Sequence, residues 1–116
     1  MRDHHKLTAF KLADQLTLNV YALTAEFPQS EIYGLTSQMR RAAVSVPSNI
    51  VEGCARETET EYLRFLDIAF ASLRELHYQY TLAERLGHLA TESSLESDFV
   101  ECEKVLGSLI RSFRRP

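Results

Sequence analysis

The sequence predicts an all-α protein, an antiparallel up-and-down four-helix bundle, and three observations carry that prediction. Apolar residues recur at alternating steps of three and four in four successive segments. No segment alternates apolar and polar residues for long enough to compete as a strand. The connections between the periodic segments are a few residues long, which favours antiparallel neighbours. The 116 residues, 45% of them hydrophobic, suffice for one domain over residues 1–116 whose core needs neither disulfides nor metal.

Residues 1–7 read as an N-terminal arm, with His4 and His5 in a mobile stretch. The first helix spans about residues 8–27, from a candidate N-cap at Thr8. Its seam is Ala9, Ala13, Leu16, Val20, Leu23 and Phe27, and Pro28 interrupts it. The second spans about residues 31–56, with Ile32, Leu35, Met39, Ala43, Val46, Ile50 and Cys54 on one side. Pro47 sits inside that pattern, removes one backbone donor and crowds the preceding turn, so this helix is expected to be kinked or broken near Pro47.

The third helix spans about residues 58–86 and opens with Thr58 and Glu61 in capping-box spacing. Tyr62, Leu66, Ala69, Leu73, Leu76, Tyr80 and Ala83 form its heptad seam, further apolar residues flank the seam on both sides, and Gly87 ends it. The fourth spans about residues 93–114, with Ser93 and Glu96 again in capping-box spacing before Leu95, Phe99, Cys102, Leu106, Leu109 and Phe113. Helices of this length make a rod roughly 30 to 45 Å long.

Composition narrows the function. The formal charge of −3 argues against a nucleic-acid binder that works by bulk positive charge alone. Residues 1–56 carry six basic and five acidic side chains, residues 57–116 seven and eleven, so the sign of the charge changes along the chain. Cys54 and Cys102 lie far apart, outside any CxxC spacing, which suits buried thiols in a reducing compartment. The N-terminus lacks a signal-peptide core and the longest apolar run is Ile68 to Ala71, so a cytoplasmic protein without a membrane span is expected.

The usual catalytic patterns are missing. Residue Arg74 stands three before His77 and Arg85 three before His88, so the Glu-x-x-His pairs of di-iron bundles do not occur. Glu84 and His88 are four apart, but the helix ends between them at Gly87 and a solvated pair is the expected reading. Four glycines, none clustered, make no phosphate cradle, and no serine or cysteine sits in a nucleophile motif. No catalytic residue, metal or cofactor is expected.

One polar stripe remains. Arg41, Ser45, Asn49, Glu52 and Arg56 align on a face of the second helix away from its seam, with Arg40 on the other flank. The third helix adds Arg64 and Glu75 near Ser72 and Gln79. Two readings stay open. In the first, Asn49, Glu52 and Glu75 belong to a structural network in which Glu52 meets Arg56 and Glu75 meets an arginine of the second helix or of another subunit. In the second, Arg40, Arg41, Arg56 and Arg64 are repeated around an oligomer and bind phosphate. Val44, Pro47 and Val51 form a second apolar strip, about 120° from the seam by helical geometry, and are the candidate subunit interface.

The run from Ile32 to Gly53, IYGLTSQMRRAAVSVPSNIVEG, resembles the four-helix-bundle proteins encoded in intervening sequences of bacterial 23S ribosomal RNA genes. The likeness extends through Arg56, Glu61, Arg64 to Leu66, Ala69, Ser72, Leu73, Glu75, Leu76 and Ala83 to Leu86 and Gly87, with the fourth helix matching in pattern only. The resemblance implies a bacterial cytoplasmic protein without known catalysis, assembled as a ring-like homopentamer and associated with RNA or DNA. It carries over onto Arg40, Arg41, Pro47, Asn49, Glu52, Gly53, Arg56, Arg64 and Glu75. The chain is also similar to the accessory bundle protein of diversity-generating retroelements, which implies a nucleic-acid and protein partner. The expectation is a non-catalytic homo-oligomer associated with nucleic acid; the alternative is a protein-interaction scaffold whose arginines are structural.

Overall fold

A computed structural model describes residues 2–90 and 94–114. Helix α1 spans Thr8–Thr24, α2 Leu35–Cys54, α3 Glu59–Arg85 and α4 Glu96–Phe113. Each packs on two others, in the cyclic order α1, α2, α3, α4, and the α2–α3 contact is the most extensive. Cross-helix pairs run in opposite directions along every consecutive pair: Thr17 meets Ala43 and Thr24 meets Arg40, Ser45 meets Ser72 and Gly53 approaches Phe65, and Asp67 meets Arg114 and Arg74 meets Glu103. The bundle is therefore antiparallel, and it is elongated at 45 × 23 × 20 Å.

The seams become one core. Leu16, Val20, Met39, Val46, Ile50, Leu66, Leu73, Leu76, Phe99 and Leu106 are all buried in it. Burying a leucine side chain of this kind stabilises the fold by about 1.5–3 kcal/mol. Thus four stripes that are individually modest meet on a shared axis and exclude water together.

The helix ends differ from the sequence expectation in instructive ways. Leu7 is extended (φ −86°, ψ 123°), so Thr8 is the first helical residue of α1 and not its cap. At the other end α1 stops at Thr24 and the chain tightens, Glu26 N–H donating to Leu23 O and Phe27 N–H to Thr24 O, before Pro28, which has no N–H to continue the ladder. Phe27 nonetheless stays buried. The expected start of the second helix at residue 31 is corrected to Leu35: residues Gln29–Glu31 make a 3-10 turn, and Gly34 (φ −110°, ψ −116°) interrupts before the helix proper. Ile32 leaves the seam as a result and is 49% exposed. The Glu31 carboxylate accepts the Leu35 N–H at 3.1 Å and caps α2 from outside.

Pro47 does not break α2, which runs unbroken through it. The missing N–H at Pro47 leaves the Ala43 carbonyl without its intrahelical donor. Thr17 on α1 supplies one, its hydroxyl lying 2.9 Å from Ala43 O and 2.9 Å from Ala13 O.

Helix α3 begins as its capping spacing predicts, with Thr58 Oγ1 accepting the Glu61 N–H at 3.2 Å. It ends at Gly87, whose φ of 76° is left-handed, with His88 N–H donating to Ala83 O and Gly87 N–H to Glu84 O. Those two bonds form a Schellman motif, which requires a residue tolerant of positive φ at this position. The expected Ser93 cap of the fourth helix lies outside the described residues, and α4 begins at Glu96.

The N-terminal segment is not a free arm. Arg2 N–H donates to Cys54 O at 2.9 Å, and its guanidinium lies 4.0 Å from the centre of the Tyr62 ring. His4–Lys6 form a 3-10 turn capped by Asp3, with His4 edge-on to Phe10. Among the described residues no helix is long and apolar enough to cross a membrane.

Candidate functional site

The four arginines singled out in the sequence do not form one cluster. Arg40 and Arg41 lie near the start of α2, and Arg56 follows its end, about 22 Å further along at 1.5 Å per residue. Arg40 is committed to α1. Its Nε donates to Thr24 Oγ1 at 2.8 Å, its terminal nitrogen to Tyr21 O at 3.2 Å, and its guanidinium sits 4.7 Å from the Tyr21 ring centre. The last turn of α1 has no basic residue of its own, so Arg40 supplies the cation that the negative end of that helix favours.

Arg56 and Arg64 converge. Both guanidinium groups lie over the Phe65 ring, at 4.7 and 4.9 Å from its centre, and both side chains are solvent-exposed. Stacking on an aromatic face orients a guanidinium while leaving its N–H edge free. Arg64 also donates to Glu61 at 3.0 Å, an exposed pair of low value to stability.

Gly53 brings α2 and α3 close here. A Cβ at this position would stand 3.0 Å from Phe65 Cβ and 3.3 Å from Tyr62 O, so any larger residue would have to push α3 back by a few tenths of an ångström from the approach that seats Phe65 under the two arginines.

The polar stripe assembles, but through neutral groups. Ser45 Oγ and Ser72 Oγ are 2.8 Å apart, and Asn49 Nδ2 donates to Ser45 O at 2.8 Å and to Ser45 Oγ at 3.0 Å. Glu52 and Glu75 are exposed, and neither makes an ion pair among the described residues. The pairing of Glu52 with Arg56 is thus corrected: the Arg56 guanidinium turns to Phe65 instead. Arg41, Ser45, Ser72, Glu75 and the buried Gln79 line a shallow groove between α2 and α3.

The second apolar strip is partly used within the chain. Pro47 is buried, Val51 half-buried, and Val44 remains 41% exposed. Val44 shares a depression with Tyr21, Ile32, Arg40 and Arg41, and Tyr33, which follows Ile32 in the chain, is 94% exposed.

Two histidine contacts had no sequence signal, because they join residues far apart in the chain. His77 Nδ1 is 2.9 Å from Glu103 and its Nε2 3.0 Å from Glu96, with the ring stacked on Phe99 at 4.8 Å. Burial alone would lower the His77 pKa, but the hydrogen bonds to Glu103 and Glu96 outweigh it and hold the pKa above the usual value. His88 bonds Glu31 at 2.8 Å, which corrects the expected solvated pair with Glu84; the hydrogen bond from His88, helped by the Leu35 N–H, holds the Glu31 carboxyl below its ordinary range. Asp3, His4 and His5 bring three ligand-type atoms within 4.8 Å of one another at the surface. Both cysteines are free and buried, and burial pushes the Cys102 thiol up to about 12, far from a reactive thiolate.

Comparison with known proteins fits this architecture. A solved structure of a protein of unknown function from the S23 ribosomal protein family of Bacteroides thetaiotaomicron superposes with a TM-score of 0.78. It is 20% identical, and the alignment covers 90% of this chain and 99% of that one, a likeness of fold. No curated protein matches the chain in sequence. The family model described as 23S rRNA-intervening sequence protein matches residues 5–108, and the chain belongs to that family.

Proposed function

We propose that the protein is a non-catalytic homo-oligomeric bundle that associates with RNA or DNA through Arg56 and Arg64. The observation that carries this reading is the stacking of both exposed guanidinium groups over Phe65. Two cations held on one aromatic ring suit phosphates of a backbone, a contact that positions a nucleic acid without reading its sequence. Arg40 drops out of the binding set because α1 uses it, and Arg41 faces the groove. Repetition around an oligomer multiplies the pair; the family resemblance points to five subunits and a ring.

Fluorescence anisotropy with a structured RNA and a duplex DNA at two salt concentrations tests the reading. Binding at low salt should weaken as salt rises and should be abolished by Arg56→Glu combined with Arg64→Glu. An absence of binding at low salt, or binding untouched by the double substitution, removes it.

The exposed apolar group of Tyr21, Ile32 and Val44 favours a second reading, a protein-interaction scaffold with structural arginines. A stoichiometric protein partner that survives nuclease treatment in a pull-down supports that reading.

A further inference from the structure

The turn that carries the chain from Arg2 into α1 gathers three consecutive metal-ligating side chains. Asp3, His4 and His5 each place one ligand atom, a carboxylate oxygen and two ring nitrogens, within 4.8 Å of the others. Hydrogen bonds hold the backbone beneath them: Asp3 caps the 3-10 turn His4–Lys6 by accepting the His5 N–H at 3.0 Å, and Leu7 N–H closes it on His4 O. Packing orients the rings. His4 stands edge-on to Phe10 with centroids 4.7 Å apart, and the His5 ring lies 4.1 Å from that of His4.

These separations suit an ion. Ligand atoms about 2.1 Å from a tetrahedral zinc ion stand about 3.4 Å from one another. Asp3 Oδ1 and His5 Nδ1 are already 3.1 Å apart, so an ion between them takes the place of the proton they share, and the ring then carries its proton on Nε2. The His4 nitrogen closes the remaining distance by side-chain rotation, for which the exposed outer side of the turn leaves room. Of the neighbouring cations, Arg2 keeps its guanidinium over the Tyr62 ring at 4.0 Å, and Lys6 is exposed, where water and salt screen it.

We propose that Asp3, His4 and His5 form a surface site for a divalent transition-metal ion of the zinc class, with water in the fourth position. Two imidazoles and one carboxylate favour zinc, nickel or copper over magnesium and calcium, which take oxygen ligands. The ion acts beyond the turn itself. Arg2, immediately before the site, donates its N–H to Cys54 O at the end of α2, and Thr8, three residues after it, opens α1. An ion that holds Asp3 to His5 therefore pins the segment joining α1 to the end of α2. The inference is independent of the proposed function.

Calorimetric titration of zinc chloride into the untagged full chain, with circular dichroism to confirm folding of every variant, provides the test. One ion per chain should bind with a Kd below about 100 µM, and magnesium should not bind in that range. His4→Gln and His5→Gln should each weaken zinc binding by about tenfold or more. Asp3→Asn keeps an acceptor for the turn's cap while removing the charge, so weakening there reports a lost ligand and not a lost turn. His77→Gln, which alters the other histidine held between carboxylates, should leave the affinity unchanged. Zinc should also slow hydrogen exchange at the Arg2, Lys6 and Leu7 amides. A weaker Kd, binding that ignores the substitutions at residues 3, 4 and 5, dependence on His77, or protection confined to other parts of the bundle overturns the site.

Discussion

Replacing Thr17 by valine tests how α2 passes through Pro47. The substitution keeps the shape of the side chain and removes the hydroxyl 2.9 Å from Ala43 O, the carbonyl whose usual donor Pro47 lacks. Ala43 is buried, so solvent does not readily replace that donor. A buried carbonyl left unsatisfied costs about 1–3 kcal/mol. Because the single hydroxyl proton is shared with Ala13 O, the lower half of that range, about 1–2 kcal/mol, is expected. In urea denaturation followed by circular dichroism, with a slope of about 2 kcal/mol per molar, the midpoint should fall by about 0.5–1 M. The decisive comparison is the same substitution in a Pro47→Ala background. There residue 47 regains its N–H, Ala43 O recovers an intrahelical partner, and the cost of losing the Thr17 hydroxyl should shrink by about 1 kcal/mol, while the Ala13 contribution cancels in the cycle. Equal losses in the two backgrounds, within about 0.3 kcal/mol, would refute the compensation.

Two further outcomes follow from the same geometry. His77 has its pKa raised in the folded state by its bonds to Glu103 and Glu96, so its contribution is full below about pH 6.5 and is lost as pH rises through the raised value; His77→Gln should flatten the stability profile across that window, and an unchanged slope contradicts the bridging role. Gly53→Ala should destabilise the chain by about 1–3 kcal/mol in thermal or urea melts, because its Cβ meets Phe65 Cβ at 3.0 Å; a neutral result means the helices part easily there.

Much of the architecture was legible in the chain because burial in a bundle is written in spacing. Leu16, Ile50, Leu73 and Leu106, taken from four different stripes, all lie in the one core. Spacing failed where a residue fits the period but the backbone does not. Ile32 continues the α2 seam on paper, yet Gly34 lies outside helical backbone and turns it outward. Likewise Thr24 and Arg40 look unrelated in sequence, and only the antiparallel register of α1 and α2 brings them together.

The candidate site was legible as a stripe but not as a set of partners. Ser45, Asn49 and Ser72 are polar residues on facing helices, and their mutual bonding depends on helix rotation that periodicity leaves free. Arg56 could as well have paired with Glu52 by helical spacing; Phe65 captured it because Gly53 lets α3 approach. The cost of Pro47 was visible, whereas its remedy on α1 was not, since a lone mid-helix threonine gives no signal of which carbonyl it serves.

The attachment of Arg2 makes the two ends of the rod unequal. Its N–H closes off the final carbonyl of α2, and its guanidinium lies over Tyr62 of α3 and within 5.8 Å of the Phe113 ring centre of α4, so one residue staples three helices while the adjoining turn leads straight into the fourth. Hydrogen exchange is therefore expected to open the far tip, where α3 gives way at Gly87, before the stapled one.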